Sequence, residues 1–135
     1  MHTYSEAECR AAFGFLLMLD GYRCDPERLD DLTGCYDFLD RLVAELGVTK
    51  QSQPYLFRTP AQFADKRGVS GWVPLVESGI SLHTLTLSRF VSLDVYSCRL
   101  FDNDRVIACM RDFFRPESLD ANFVLRGRRH RGGGG

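Results

Sequence analysis

The sequence lacks the marks of three large classes of protein: membrane-spanning, exported and nucleic-acid-binding. It has no apolar run near the ~20 residues that a membrane-spanning helix needs, and it does not begin with a basic segment, an apolar stretch and a small-residue cleavage site. The formal net charge of −1 creates no field that favours nucleic acid or anionic lipid. We therefore expect a cytoplasmic protein with no nucleic-acid or membrane partner.

The cysteines also lack the pattern of a disulfide framework or of a zinc site. Their number, five, is odd, and no two of them are spaced as C-x-x-C. We therefore expect no bound metal, and we expect most of the thiols to be small buried apolar groups, with one or two available for chemistry. The cysteines are Cys9, Cys24, Cys35, Cys98 and Cys109.

What the sequence does contain is the composition of an ordinary globular protein. Hydrophobic residues make up 44% of its 135 positions and charged residues 26%. A chain of this length has room for one core, so we predict a single domain over residues 1–131. The glycines at 132–135 and the basic residues before them predict a flexible, solvated end.

Apolar patterning predicts six strands. Alternation of apolar and polar residues is clearest at 80–87 and 91–96, where β-branched and aromatic residues are also frequent. The short connections within 68–98 predict antiparallel pairing. The predicted strands are 13–20, 53–59, three in succession within 68–98, and 121–126.

Helical spacing of apolar residues predicts two helices. The first covers 35–46 and ends at Gly47, and the second covers about 104–114, with Asp102 or Asn103 as its N-cap and Pro116 near its end. We expect polar connections at 25–32 and 60–67. The order β-α-β-β-β-β-α-β predicts an α+β fold, a two-layer sandwich with helices packed on one face of an antiparallel sheet.

Four chemically capable groups stand in one stretch of the chain. GVSG at 68–71 contains Ser70, ESGISLH at 77–83 contains Ser78 and His83, and DVYSC at 94–98 ends at Cys98. Ser78 follows Ser70 by eight residues and precedes His83 by five and Cys98 by twenty. These segments, in this order and at these spacings, resemble the bacterial and archaeal S-adenosylmethionine decarboxylases, a pyruvoyl-dependent family.

The resemblance implies a proenzyme that cuts itself. The Ser78 hydroxyl would attack the Glu77 carbonyl, and the chain would separate into residues 1–77 and 78–135. Ser78 would become a covalent pyruvoyl group, the only cofactor expected, which forms a Schiff base with the substrate and takes up electrons during decarboxylation. Gly79 stands where the family usually has histidine, and we expect its flexibility to ease the rearrangement.

The resemblance also assigns roles to the other three groups. His83 corresponds to the histidine that transfers protons during self-cleavage, and Ser70 to the serine that supports it. Cys98 corresponds to the cysteine that returns a proton to the substrate after CO2 leaves. The family implies a homodimer with shared active sites, in which Ser70 and His83 serve the Ser78 of the partner chain.

Two positions depart from the family at the site for the adenosine of the substrate. Leu87 stands where an acidic residue would hold the ribose hydroxyls, and Ala64 stands where an aromatic ring would stack on adenine, with Phe63 next to it. Asp20 corresponds to an acidic position of the family and is a candidate for binding a substrate amine.

These departures leave three interpretations open. The first is decarboxylation of S-adenosylmethionine for spermidine synthesis. The second is a relative that kept the pyruvoyl chemistry but decarboxylates a smaller amino acid, L-ornithine or L-arginine. The third is a non-catalytic paralogue, which the presence of Ser78, His83 and Cys98 disfavours.

Overall fold

A computed structural model of the chain describes residues 3–130. The predicted flexible end at 132–135 lies outside them. The elements in chain order are α1 (Glu6–Ala11), β1 (Gly14–Tyr22), α2 (Pro26–Leu29), α3 (Leu32–Leu46), β2 (Tyr55–Arg58), a 3-10 turn (Ala64–Lys66), β3 (Val69–Leu75), β4 (Ser78–Leu85), β5 (Phe90–Ser97), α4 (Asn103–Phe114) and β6 (Ser118–Arg126).

The six strands form one sheet in the order β2-β3-β4-β5-β1-β6, with every neighbouring pair antiparallel. The strands β3, β4 and β5 are joined by tight turns, as short connections require. The other neighbour of β5 is β1, and α4 leads the chain from β5 to the edge strand β6, so β4 and β5 lie in the middle of the sheet. The predicted α+β sandwich with an antiparallel sheet is confirmed.

One face of the sheet is apolar and carries the helices. Along β3, β4 and β5, buried and more exposed residues alternate with period two, as expected for a sheet with one covered face. Burying each large side chain of this layer contributes about 1.5–3 kcal/mol to stability. The most deeply buried side chains include Leu17, Leu19, Val69, Val73, Ile80 and Leu93 from the strands, and Leu39, Leu42, Met110 and Phe114 from the helices.

The two long helices begin and end at residues that suit those positions. The Asp31 side chain accepts a hydrogen bond from the Gly34 N–H at the start of α3, and Gly47 adopts the left-handed conformation that ends it. Asp102, one of the two predicted caps, accepts from the backbone at the start of α4. Both predicted helices are confirmed.

Two short helices differ from the sequence prediction. The segment 25–32, predicted as a connection, contains α2, which begins at the Asp25 cap and at Pro26. At the N-terminus, α1 begins with a reciprocal cap between Ser5 and Glu8. Both helices are too short for apolar spacing to reveal them, and their capping residues are the only local signal.

The other face of the sheet carries no helix and is mixed in character. The exposed side chains on it include the aromatic Tyr55, Phe57 and Trp72 on β2 and β3, and the polar Ser81 and Asp94 on β4 and β5. We call this surface the open face. Within residues 3–130, no helix has both the length and the apolar composition needed to cross a membrane.

Candidate active site at the two ends of strand β4

The predicted catalytic residues fall into two groups at opposite ends of β4. Glu77, Ser78 and Cys98 form the group that we call the cleavage end. His83 lies five residues along the strand, about 17 Å from Ser78, and pairs with Ser70 on β3 in a group that we call the histidine end. Within one chain, His83 therefore does not reach Ser78.

The backbone at the cleavage end is strained at the residue that is predicted to react. Ser78 follows the turn between β3 and β4 and has a φ of 149°, a value that residues other than glycine rarely adopt. Holding a residue there costs about 1–3 kcal/mol, and such strain often lies at functional sites. Gly79 has no positive φ, so the unusual conformation lies at Ser78 itself and not at the glycine after it.

The carbonyl group that precedes Ser78 is held by a backbone donor. The Cys98 N–H donates a hydrogen bond of 2.7 Å to the Glu77 carbonyl oxygen. Ser78 pairs with Ser97 across β4 and β5, and this register brings the next residue, Cys98, beside Glu77. The sequence predicted a role for the Cys98 thiol but not for its backbone N–H, because residue types do not show which backbone groups act as hydrogen-bond donors.

The side chain of Glu77 anchors the turn that carries the Glu77–Ser78 bond. Its carboxylate accepts hydrogen bonds from the Thr49 N–H at 2.9 Å and from the Thr49 hydroxyl at 3.1 Å. The Thr49 carbonyl in turn accepts from the Val76 N–H. The backbone hydrogen bond from Thr49 is the main reason that the pKa of Glu77 is lowered. The segment after α3 therefore fixes the turn.

The position of Trp72 explains why glycine fits next to Ser78 better than a larger residue would. A Cβ atom at residue 79 would lie 3.0 Å from the Trp72 Nε1 atom and 3.4 Å from the Val73 carbonyl oxygen. The indole stacks on Tyr55, with ring centroids 6.0 Å apart and planes 19° from parallel. The indole therefore occupies the space that a side chain at residue 79 would need.

A cavity of about 370 Å³ opens beside Ser78 on the open face. It contains one carboxylate, that of Asp94, which belongs to DVYSC but has no role predicted from the sequence. Partial desolvation first, and repulsion by Asp20 second, raise the pKa of Asp94. The lining residues are Leu16, Trp72, Ser78, Gly79, Ser81, Asp94, Tyr96 and Arg126.

At the histidine end, Ser70 and His83 are in direct contact. The Ser70 Oγ and His83 Nδ1 atoms are 3.0 Å apart, a hydrogen-bonding distance, and both side chains are exposed on the open face. Gly68, the first glycine of GVSG, has a φ of 159°, and a Cβ atom there would lie 2.0 Å from the Thr84 carbonyl oxygen. Only glycine lets β3 start this close to β4.

The buried hydroxyl of Thr84 fixes the same end of the sheet from the helical side. It donates a hydrogen bond of 2.7 Å to the Leu29 carbonyl and accepts one of 2.9 Å from the Val69 N–H. It thus ties α2, β3 and β4 together, and the strands hold Ser70 and His83 in register.

Phe63 and Leu87, the two candidate adenosine contacts, line one cavity of about 500 Å³ next to the histidine end. Their side chains are 49% and 66% exposed. The acid that also lines it, Asp30, pairs with Arg67 at 2.6 Å and with Arg58 at 3.5 Å. The hydrogen bond from Arg67 is the main cause of the lowered pKa of Asp30.

Asp20 lies in the same row of the open face as His83. It pairs with Ser92 on β5, which pairs in turn with His83 on β4, so two strand spacings, about 10 Å, separate Asp20 from the histidine. Asp20 does not line the cavity beside Ser78, whereas Asp94 does.

The sequence is similar to those of known proteins of one family. A sequence model described as S-adenosylmethionine decarboxylase matches residues 16–127. A protein of Thermoplasma acidophilum named S-adenosylmethionine decarboxylase proenzyme is 32% identical over 115 residues, which cover 84% of this chain and 83% of the relative. A proenzyme of the same name from Methanococcus aeolicus is 28% identical over 112 residues, which cover 82% and 91% of the two chains.

The fold is also similar to that of a solved structure. The crystal structure of the adenosylmethionine decarboxylase from Aquifex aeolicus superimposes with a TM-score of 0.72 over 86% of this chain and 92% of that one, at 24% sequence identity. At this identity the likeness concerns the fold alone. Because the family model covers most of the sequence, the resemblance predicted from GVSG, ESGISLH and DVYSC is confirmed: the chain belongs to the S-adenosylmethionine decarboxylase family.

Proposed function

We propose that the chain is the proenzyme of a pyruvoyl-dependent decarboxylase that cleaves itself between Glu77 and Ser78, with S-adenosylmethionine as its substrate. The observation that carries this proposal is the combination of a strained Ser78 with a Glu77 carbonyl that accepts a 2.7 Å hydrogen bond from Cys98. The family and the names of its proenzyme relatives support the same activity.

Self-cleavage begins when the Ser78 Oγ atom adds to the carbonyl carbon of Glu77. The negative charge that develops on the Glu77 oxygen faces the Cys98 N–H, which stabilises it. The amide C–N bond then breaks, and the Glu77 acyl group passes to the Ser78 oxygen as an ester. Loss of the Ser78 Cα proton expels the Glu77 carboxylate and leaves dehydroalanine at residue 78. Hydrolysis of this dehydroalanine releases ammonia and leaves the pyruvoyl group.

The residues around Ser78 fit the pyruvoyl group that this sequence of steps would leave. The cavity beside Ser78 leaves space for a substrate on the open face. A pyruvoyl carbonyl supplies an electron sink for the electron pair that the departing carboxyl group leaves behind. The Cys98 thiol follows directly after β5, is partly exposed, and is the proton donor that we assign to the carbon that loses CO2.

A homodimer explains how the histidine end takes part in self-cleavage at Ser78. About 17 Å of β4 separates His83 from Ser78 in one chain. The open face exposes aromatic side chains together with Ser70 and His83, and a second copy packed on it would cover both ends. In such a dimer the partner subunit's His83 takes the proton from Ser78 during cleavage, and Ser70 orients that histidine.

A smaller substrate, L-ornithine or L-arginine, is a second candidate that one observation favours. The cavity that holds Phe63 offers Leu87 where a ribose diol would need a carboxylate, and its acid, Asp30, is already paired with two arginines. A diol left without an acceptor costs about 1–3 kcal/mol. Phe63 nevertheless borders this cavity, so an aromatic ring remains available for adenine.

Intact-mass measurement of the purified protein tests self-cleavage. We expect two fragments that meet at Glu77 and Ser78, and one uncut chain from Ser78→Ala. Ser81→Ala, on the same strand, is the matched control and is expected to cleave. A wild-type chain that stays intact after long incubation contradicts the proposal.

Release of CO2 from S-adenosylmethionine, L-ornithine and L-arginine, measured side by side, identifies the substrate. Activity with S-adenosylmethionine alone supports the first candidate, and activity with an amino acid alone replaces it with the second. A cleaved enzyme that releases CO2 from none of the three contradicts both.

A further inference from the structure

We propose that Asp94 is a specificity-determining residue that binds the positive charge on the side chain of the substrate. This inference rests on the proposed function, since it concerns what the decarboxylase accepts beside Ser78. Both candidate substrate classes carry a cation beyond the α-carbon: a sulfonium in S-adenosylmethionine, and an ammonium or guanidinium in ornithine and arginine. Asp94 would recognise that shared feature.

The position of Asp94 suits a charge carried several bonds beyond the reacting atoms. Ser78 pairs with Ser97, and Asp94 lies three residues before Ser97 on β5, so about 10 Å of strand separates Asp94 from the level of Ser78. Both residues line the same cavity. An amino acid held at Ser78 and extended along the open face would bring its charged end to the Asp94 carboxylate.

Asp94 has no cationic partner of its own. Among residues 3–130 its carboxylate takes part in no hydrogen bond and no ion pair of the kinds that join the other acids to arginines. Arg126 lines the same cavity, but its guanidinium lies over the Tyr96 ring, 4.7 Å from the ring centroid, and forms no ion pair with Asp94. The negative charge in the cavity is therefore available to a ligand.

The surroundings of Asp94 increase its preference for a cation. Partial loss of hydration and the neighbouring charge of Asp20 both disfavour the carboxylate form, and a bound cation relieves the repulsion. Across Ser81 in the same row of the sheet lies Trp72, whose indole forms the opposite wall of the cavity. A carboxylate and an electron-rich aromatic side chain in one cavity are together suited to a cation.

The other two acids on this part of the open face are not equivalent to Asp94. Asp120, on β6, accepts a 2.7 Å hydrogen bond from the Tyr22 hydroxyl, and neither it nor Asp20 lines the cavity beside Ser78. Asp120→Asn therefore removes the same charge from the same face without touching the cavity, and it serves as the matched control.

The first test compares two amino acids that differ only in the terminal charge, L-ornithine and the neutral L-norvaline, together with S-adenosylmethionine. Asp94→Asn is expected to raise KM for the cationic substrate by about 10- to 100-fold, and to leave norvaline and self-cleavage unchanged. The increase in KM is expected to be smaller for S-adenosylmethionine than for ornithine, because a sulfonium donates no hydrogen bond to Asp94. Asp120→Asn is expected to behave like the wild type.

The second test does not depend on cleavage or turnover. In the uncut Ser78→Ala proenzyme, calorimetric titration with ornithine and norvaline measures binding in the cavity alone. The preference for ornithine is expected to disappear in Ser78→Ala/Asp94→Asn. A preference that survives in this variant, or an unchanged KM in cleaved Asp94→Asn, overturns the assignment of Asp94 while leaving the proposed decarboxylase intact. Failure of the wild-type chain to cleave contradicts the proposed function, and the titration still decides whether Asp94 binds the cation.

Discussion

The cleavage end and the histidine end lie on the same strand, β4, but they differ in what completes them. At the cleavage end, the register of β4 and β5 and the segment after α3 supply every contact from the same chain: Cys98 holds the Glu77 carbonyl, and Thr49 holds the Glu77 side chain. At the histidine end, Ser70 and His83 contact each other and otherwise face the open surface. The observed contacts of the cleavage end thus come from the fold of one chain, whereas the histidine end is exposed on the open face.

The two ends also differ in how closely they follow the family. The cleavage end departs only at Gly79, where Trp72 fills the vacated space. The cavity next to the histidine end departs from the family pattern at Ala64 and Leu87 and contains two arginines paired with Asp30. The residues beside the bond to be cut thus follow the family pattern more closely than the residues of the candidate adenosine site do. Four variants test this difference.

His83→Ala has the largest expected effect. Because loss of a general acid–base group costs about 10²- to 10⁴-fold, its self-cleavage is expected to slow by that factor. Co-expression with Ser78→Ala, which retains His83, is expected to restore cleavage of the His83→Ala chain through mixed dimers, as read by intact mass. His130→Ala is the control for a histidine outside the site. Absence of rescue would mean that the two ends do not meet across a dimer.

Cys98→Ala separates two roles of one residue. Its backbone N–H still donates to the Glu77 carbonyl, so self-cleavage is expected to continue. Without the thiol, kcat for decarboxylation is expected to fall by about 100-fold or more. Mass spectrometry and CO2 release measure the two activities on one sample, and Cys9→Ala in α1 is the control. Unchanged turnover contradicts the assignment of the proton donor.

Leu87→Glu tests the departure next to the histidine end. Since Leu87 is 66% exposed, the substitution is expected to be tolerated. A carboxylate there can accept from ribose hydroxyls, so KM for S-adenosylmethionine is expected to fall by about tenfold, with no change for L-ornithine. Leu87→Gln is the control, because glutamine has nearly the same shape as glutamate without the charge. Equal KM values for Leu87→Glu and the wild type would show that residue 87 does not contact the substrate.

Asp30→Asn has the smallest expected effect, on stability. A carboxyl whose pKa is lowered in the folded protein stabilises it above the pKa of the unfolded chain, and this contribution is lost as the pH falls through the folded-state pKa. Urea unfolding is therefore expected to show a loss of about 1 kcal/mol near pH 7 that becomes smaller as the pH falls below the pKa of the unfolded carboxyl group. Asp37→Asn, on the exposed side of α3, is the control. A loss that is equally large in acid contradicts the role of the Arg67 pair.

The long elements were predictable because their signals are repeated over many residues. Alternation along β4 and β5 and helical spacing in α3 each report which side of the element is buried. The helices α1 and α2 were missed because four to six residues contain too few repeats. Gly79 was interpreted as a source of flexibility, and its actual neighbour, Trp72, could not be identified before the β3–β4 register was known.

The order and spacing of the reactive groups, and with them the family, follow from residue types alone, because local patterns and motifs are carried by residue type. Which of these groups meet depends on the tertiary structure. Strand register put the Cys98 N–H on the Glu77 carbonyl, placed Ser70 against His83, and brought Asp94 into the cavity of Ser78 while leaving Asp20 outside it. Those contacts join residues far apart along the chain, and no local pattern encodes the hydrogen-bond partner of a backbone group.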